Sequence, residues 1–93
     1  MTYKQLKLEI LETLYRERNK SNHSMCERIN VPELIHYIIF LVETNQFCCA
    51  GAVVVAGRKV GVFNTFFSCI IGEQISILER MQLCSNNLDD EID

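Results

Sequence analysis

Two adjacent basic residues, Arg58 and Lys59, are the first candidates for chemistry in this chain. We expect them at the tip of a β-hairpin, where cations can bind the phosphates of a nucleic acid. On the segment before the hairpin, His36 and Tyr37 are the side chains best suited to contact base edges. These four residues are therefore the DNA-contact candidates. The alternative is that Arg58 and Lys59 are solvated tip residues that keep an apolar hairpin soluble.

A second set of residues is apolar where a DNA-reading helix is usually polar. Between Arg28 and Arg58 the chain has no Lys or Arg. Such a helix could be packed on two sides, could bind another copy or another protein, or could read the major groove directly. The interface candidates under the second interpretation are Ile35, Ile39 and Phe40.

Catalytic and metal-binding patterns are weak. His23 and Cys26 lie three residues apart, but no glycine loop or third orienting group accompanies them, as nucleophilic catalysis requires. The five cysteines form an odd set without CxxC spacing. Cys48 and Cys69 could face each other across the hairpin, but a metal site needs further ligands. We therefore predict neither an enzyme nor a protein with a cofactor or metal.

Length and composition indicate a single small domain. The chain has 93 residues, of which 48% are hydrophobic, which is enough for one core without disulfide or metal support. The net charge is −3, and four of the 12 acidic residues lie within 89–93. We expect a folded domain over 1–84 and a disordered acidic tail over 85–93. The start has no signal-peptide pattern, and the apolar segment 47–57 is too short to span a membrane, so the prediction is a cytoplasmic protein without a membrane partner.

The first half of the chain has the pattern of helices. Residues 3–18 place apolar side chains on one stripe, with Thr2 as the N-cap. Ser24 and Glu27 form a capping pair that predicts a short second helix over 25–29.

A further capping pair, Asn30 with Glu33, predicts a third helix from Val31 to Thr44. Asn45 is then expected to end that helix in the left-handed conformation.

The second half is rich in Val, Phe and Cys and predicts strands. The segments "FCCAGAVVVA" and "VGVFNTFFSCII" flank "GRK" at 57–59, which is typical of a β-hairpin with a basic tip. We expect Gly57 to supply the positive φ of the turn, Gly72 to end the second strand, and a last helix over 73–83. The predicted fold class is therefore α+β, a winged helix-turn-helix with the order helix, short helix, helix, β-hairpin, helix.

Four segments carry a resemblance to a known family. They are "YKQLKLEILETLY" at 3–15, "IIFLVETNQF" at 38–47, the Gly/basic tip, and "ISILERM" at 75–81. In pattern the chain resembles the small YjcQ-like winged-helix proteins of Gram-positive bacteria and their phages. The resemblance implies a regulatory or phage-associated protein that is not an enzyme.

Two functional hypotheses follow from the sequence. In the first, the chain is a DNA-binding regulatory protein that binds duplex DNA weakly or as a dimer, through the wing tip and the third helix. In the alternative, the winged helix is a protein-interaction module that binds a second copy or a different protein and no nucleic acid.

Overall fold

The structure, a computed structural model, describes residues 1–20 and 29–84. These residues form four α-helices and the turns between them. They are α1 (Tyr3–Arg18), α2 (Val31–Glu43), α3 (Phe47–Lys59) and α4 (Thr65–Cys84). No β-strand occurs in these two ranges. The predicted α+β class and the winged helix-turn-helix fold are therefore wrong.

The beginnings of α1 and α2 are confirmed. The Thr2 side chain accepts a hydrogen bond from the Gln5 backbone N–H, and the Gln5 side chain accepts one from the Thr2 N–H, which completes a capping box. The Asn30 side chain caps α2 by accepting from the Glu33 N–H at 3.1 Å. Both caps satisfy backbone donors that a helix leaves unpaired at its start, which is why these two boundaries could be predicted.

The end of α2 is also confirmed. Asn45 has a φ of 62°, the left-handed conformation expected of it. The N–H of Asn45 donates to the Val42 carbonyl, and that of Gln46 donates to the Leu41 carbonyl at 2.8 Å. This is a Schellman motif, and it turns the chain directly into α3.

The predicted hairpin is replaced by α3 and the first half of α4. The buried residues of α3 are Phe47, Ala50, Val54 and Gly57, which recur at helical rather than alternating spacing. The Val and Cys residues that favoured a strand are accommodated because tertiary packing of a helical face outweighs the β-propensity of individual residues.

The turn after α3 depends on a different glycine from the one predicted. Gly57 is helical and buried, whereas Gly61 has a φ of +82°. The N–H groups of Gly61 and Val62 donate to the carbonyls of Arg58 and Gly57, which forms a second Schellman motif. The Phe63 ring then packs so closely on Gly57 that a Cβ atom there would lie 2.4 Å from the ring.

The last helix is longer than predicted. The Asn64 side chain accepts a hydrogen bond from the Phe67 N–H at 2.7 Å and caps the start of α4. The predicted helix over 73–83 forms only the second half of α4, and Gly72 lies inside the helix instead of ending a strand.

The four helices form an up-down-up-down bundle. Each helix packs against two others, in the ring α1, α2, α3, α4 and back to α1. The core includes Ile10 and Leu14 of α1, Ile38 of α2, and Ile71 and Ile75 of α4, all essentially inaccessible. The predicted capping pair Ser24 and Glu27, most of the predicted helix 25–29, and the acidic tail 85–93 lie outside the described residues.

Candidate functional site

Arg58 and Lys59 lie in the last turn of α3 and not at a hairpin tip. Both are exposed. The Arg58 Nη1 atom lies 3.9 Å from the Cys69 Sγ atom, so this side chain extends across to α4. Cations at the carboxyl end of a helix interact favourably with its dipole, which gives both residues a role in the stability of α3.

His36 and Tyr37 lie on α2, whereas Arg58 lies on α3. The His36 Nδ1 atom is 3.3 Å from an Arg18 nitrogen, and the Arg18 guanidinium stacks 4.9 Å above the Tyr15 ring. His36 therefore faces α1, whereas Arg58 faces α4. His36 and Arg58 thus contact different neighbouring helices, and the DNA-contact role of the four candidates stays a prediction from the sequence.

The three interface candidates are divided between the core and the surface. Ile35 and Ile39 are buried in the core, at 0% and 1% exposure. Phe40 is 50% exposed, as is Tyr37, which lies nearly one turn earlier on α2. Only Phe40 of the three can therefore contact another molecule without a change in the fold.

One concave surface among the described residues is a groove between α3 and α4, with a volume of about 640 Å³. Small side chains line its middle, including Gly51, Ala52, Gly72 and Ser76. The helices are close here, since a Cβ atom at Gly51 would lie 3.8 Å from the Ile75 side chain. Val55 is the largest apolar side chain exposed in the groove, at 41%.

The two ends of this α3–α4 groove carry opposite charges. Arg58 contacts Cys69 and Gly51 lies opposite Ile75, so α3 and α4 are antiparallel, with Arg58 and Lys59 at one end. Glu79 lies at the other end, beside Cys48. Glu73 also lines the groove, on the α4 side. The small and apolar side chains that α3 contributes thus lie between a basic end and an acidic end of the groove.

Cys48 and Cys69 both line the groove and are exposed, but they do not face each other. Cys69 lies at the basic end and Cys48 at the acidic end. Across residues 1–20 and 29–84, no group of three or more His, Cys, Asp or Glu side chains is placed to hold a metal ion.

A smaller groove of about 250 Å³ lies between α1 and α4. Phe66, at 76% exposure, and Ile70 contribute its apolar surface from α4. Arg16 borders it on α1, and Lys20 borders it just beyond the end of α1 and forms an ion pair with Glu17 at 3.0 Å.

The groove residues that belong to α3 and to the first half of α4 were missed by reasoning from the sequence because they were assigned to the hairpin, whereas the residues from Glu73 onward fall in the predicted helix 73–83. A signal was nevertheless present: Cys48, Ala52, Val55 and Lys59 recur at intervals of four, three and four residues, which is the spacing of a helical contact seam. All four are exposed on α3, opposite its buried face.

Comparison with known protein families, curated proteins and solved structures gave no match to this chain. The resemblance to YjcQ-like proteins therefore stays a prediction from the sequence. Among the described residues, no helix is both long enough and apolar enough to cross a membrane.

Proposed function

We propose that this chain is a protein-interaction module that binds an amphipathic helix in the α3–α4 groove. The observation that carries the proposal is the combination of an open groove of about 640 Å³ with small side chains along its middle. Small residues let the backbone of a third helix approach closely, and the apolar face of such a helix covers Ala52 and Val55.

The charges at the groove ends support a defined orientation of the bound helix. Arg58 and Lys59 attract acidic residues at one end, whereas Glu79 attracts basic residues at the other. A helix with its apolar stripe between an acidic and a basic end therefore fits in one direction and is disfavoured in the reverse direction.

The proposal is tested by selecting binding peptides from a displayed library of helical sequences. We expect amphipathic helices to be selected, and their affinity to fall at least about tenfold for Ala52→Asp, because this substitution places a charge in the apolar middle of the groove. Phe40→Ser, on a different helix, is the matched control and should leave the affinity unchanged. Peptides that bind Ala52→Asp as tightly as the original chain, or a library that yields no binder, would contradict the proposal.

Binding of duplex DNA by Arg58 and Lys59 is the competing hypothesis, and a labelled random duplex distinguishes the two. Under the proposal, replacing both residues with Ala should leave any duplex binding unchanged. Strong binding at low salt that is lost in this double variant would instead favour a nucleic-acid role, since phosphate contacts give affinity that falls steeply with salt.

A further inference from the structure

We propose that the helix bound in the α3–α4 groove is α3 of a second copy of this chain, in a two-fold symmetric dimer. This inference rests on the proposed function, since it names the partner for the same groove. The argument uses the spacing of exposed residues on α3 and the distribution of charge along the groove.

The exposed seam of α3 is complementary to itself. One side of the helix carries Cys48, Ala52, Val55 and Lys59, with a small or apolar residue at each of the two middle positions. A two-fold axis between Ala52 and Val55 places two copies of α3 antiparallel. Ala52 of each copy then contacts Val55 of the partner subunit, and a small residue meets a larger one at both positions.

The same axis pairs opposite charges. Gly51 is level with Ile75 across the groove, so Glu79, one turn further along α4, is level with the start of α3. Lys59 lies at the end of α3, and the two-fold rotation exchanges the two ends. Lys59 of each copy therefore meets Glu79 of the partner subunit, which gives two ion pairs across the dimer.

Glu73 is the other acidic residue that lines the groove. The two α3 helices at the centre of the dimer keep Glu73 of one copy apart from Glu73 of the partner subunit. Glu73 lines the groove from α4, level with the middle of α3, while the two α3 helices lie at the two-fold axis of the dimer. The charge arrangement thus favours contact through α3 over contact through α4, where two Glu73 side chains would approach each other.

The expected dimer is weak. The 13 residues of α3 make a helix roughly 20 Å long, and two neighbouring helices make a face roughly 20 Å wide. Such a face buries about 400 Å² per copy, or about 800 Å² in total, below the roughly 1,200 Å² of stable complexes. We therefore expect a dissociation constant on the order of 100 µM.

Sedimentation equilibrium of the full chain tests the inference, at protein concentrations from about 10 µM to about 1 mM and at low salt. A reductant prevents disulfides between the exposed cysteines of different copies. We expect a reversible dimer. Lys59→Glu and Glu79→Lys should each weaken it at least about tenfold, because each places like charges at two symmetric positions. The double variant K59E/E79K restores the opposite charges and should recover the dimer, which a general loss of folding would not do.

Val55→Asp and Phe40→Ser complete the design. Val55→Asp should abolish the dimer, whereas Phe40→Ser should not affect it. A chain that stays monomeric to about 1 mM would overturn the dimer; peptides that still bind the groove would then leave the proposed function intact. A dimer that is lost in Phe40→Ser but kept in Val55→Asp would also overturn it, because the interface would then lie on α2.

Discussion

The Lys7 Nζ atom lies 2.8 Å from the Asn45 side-chain oxygen, so α1 stabilises the turn at which α2 ends. The same Nζ atom lies 3.4 Å from the Glu43 carbonyl oxygen, and the Tyr3 hydroxyl donates to Asn45 at 3.0 Å. The last turn of α2 has no basic residue of its own. Lys7 therefore supplies from a neighbouring helix the cation that favours a helix end. Burial lowers the pKa of Lys7, and the Glu43 carboxylate partly opposes this effect.

Substitution of Asn45 tests this turn. Asn45→Ala loses the hydrogen bonds from Tyr3 and Lys7 and places a Cβ-bearing residue without a polar side chain at a φ of 62°. We expect the free energy of unfolding to fall by about 2–3 kcal/mol. Asn45→Gly loses the same bonds but tolerates the positive φ, so its loss should be smaller by about 1 kcal/mol. Urea denaturation of both variants measures the difference; equal losses would show that the backbone conformation contributes nothing.

Two glycine substitutions distinguish a helix from a hairpin in the second half of the chain. Gly57→Ala places a Cβ atom 2.4 Å from the Phe63 ring and should destabilise the fold by about 2 kcal/mol or more. Gly72→Ala meets nothing within 4 Å inside α4 and should stabilise the fold by about 0.5–1 kcal/mol. Thermal unfolding at low protein concentration checks both. A destabilised Gly72→Ala variant would contradict the helical assignment at that residue.

Adjacent positions on α2 should differ sharply in their tolerance of serine. Ile39→Ser removes a side chain that is 1% exposed and buries a hydroxyl, at a cost of about 3–4 kcal/mol. Phe40→Ser changes a half-exposed side chain and should cost less than about 1 kcal/mol. Far-UV circular dichroism during urea denaturation gives both values. Similar losses at the two positions would mean that Phe40 belongs to the core.

Alkaline titration should reveal the environment of Tyr3. Burial raises the pKa of this phenol above its usual value of 10.0. Because the unfolded chain loses the proton first, the stabilising contribution of Tyr3 is complete below pH 10.0 and is lost as pH rises through the higher folded pKa. The difference in phenolate absorbance between the original chain and Tyr3→Phe isolates this group. A midpoint at or below 10.0 would contradict the buried position.

The first half of the fold could be predicted from the sequence because its signals agree with one another. Thr2 and Asn30 are capping residues, and each precedes a clear apolar stripe. Asn45 is an accepted substitute for glycine at a helix end. Local chemistry and apolar spacing thus indicate the same boundaries.

The second half could not be predicted because composition and spacing disagree. Segment 47–56 has no charged residue to mark a polar helix face, and its Val and Cys residues favour strands. The correct signals were Arg58 and Lys59 as the last turn of a helix, Gly61 just beyond it, and Asn64 as the next cap. The α3–α4 groove was missed for the same reason, because its residues share a face only once both segments are helical.

The ring order of the helices has a consequence for how the chain folds. Among the described residues, three of the four helix pairs that pack extensively are consecutive in the sequence, and the fourth joins the first helix, α1, to the last, α4. Most native contacts therefore close short stretches of chain, and little loop entropy is lost before they form. Helical bundles with mainly local contacts belong to the class that folds in microseconds to milliseconds, and the docking of α4 on α1 brings together the helices most distant in the sequence.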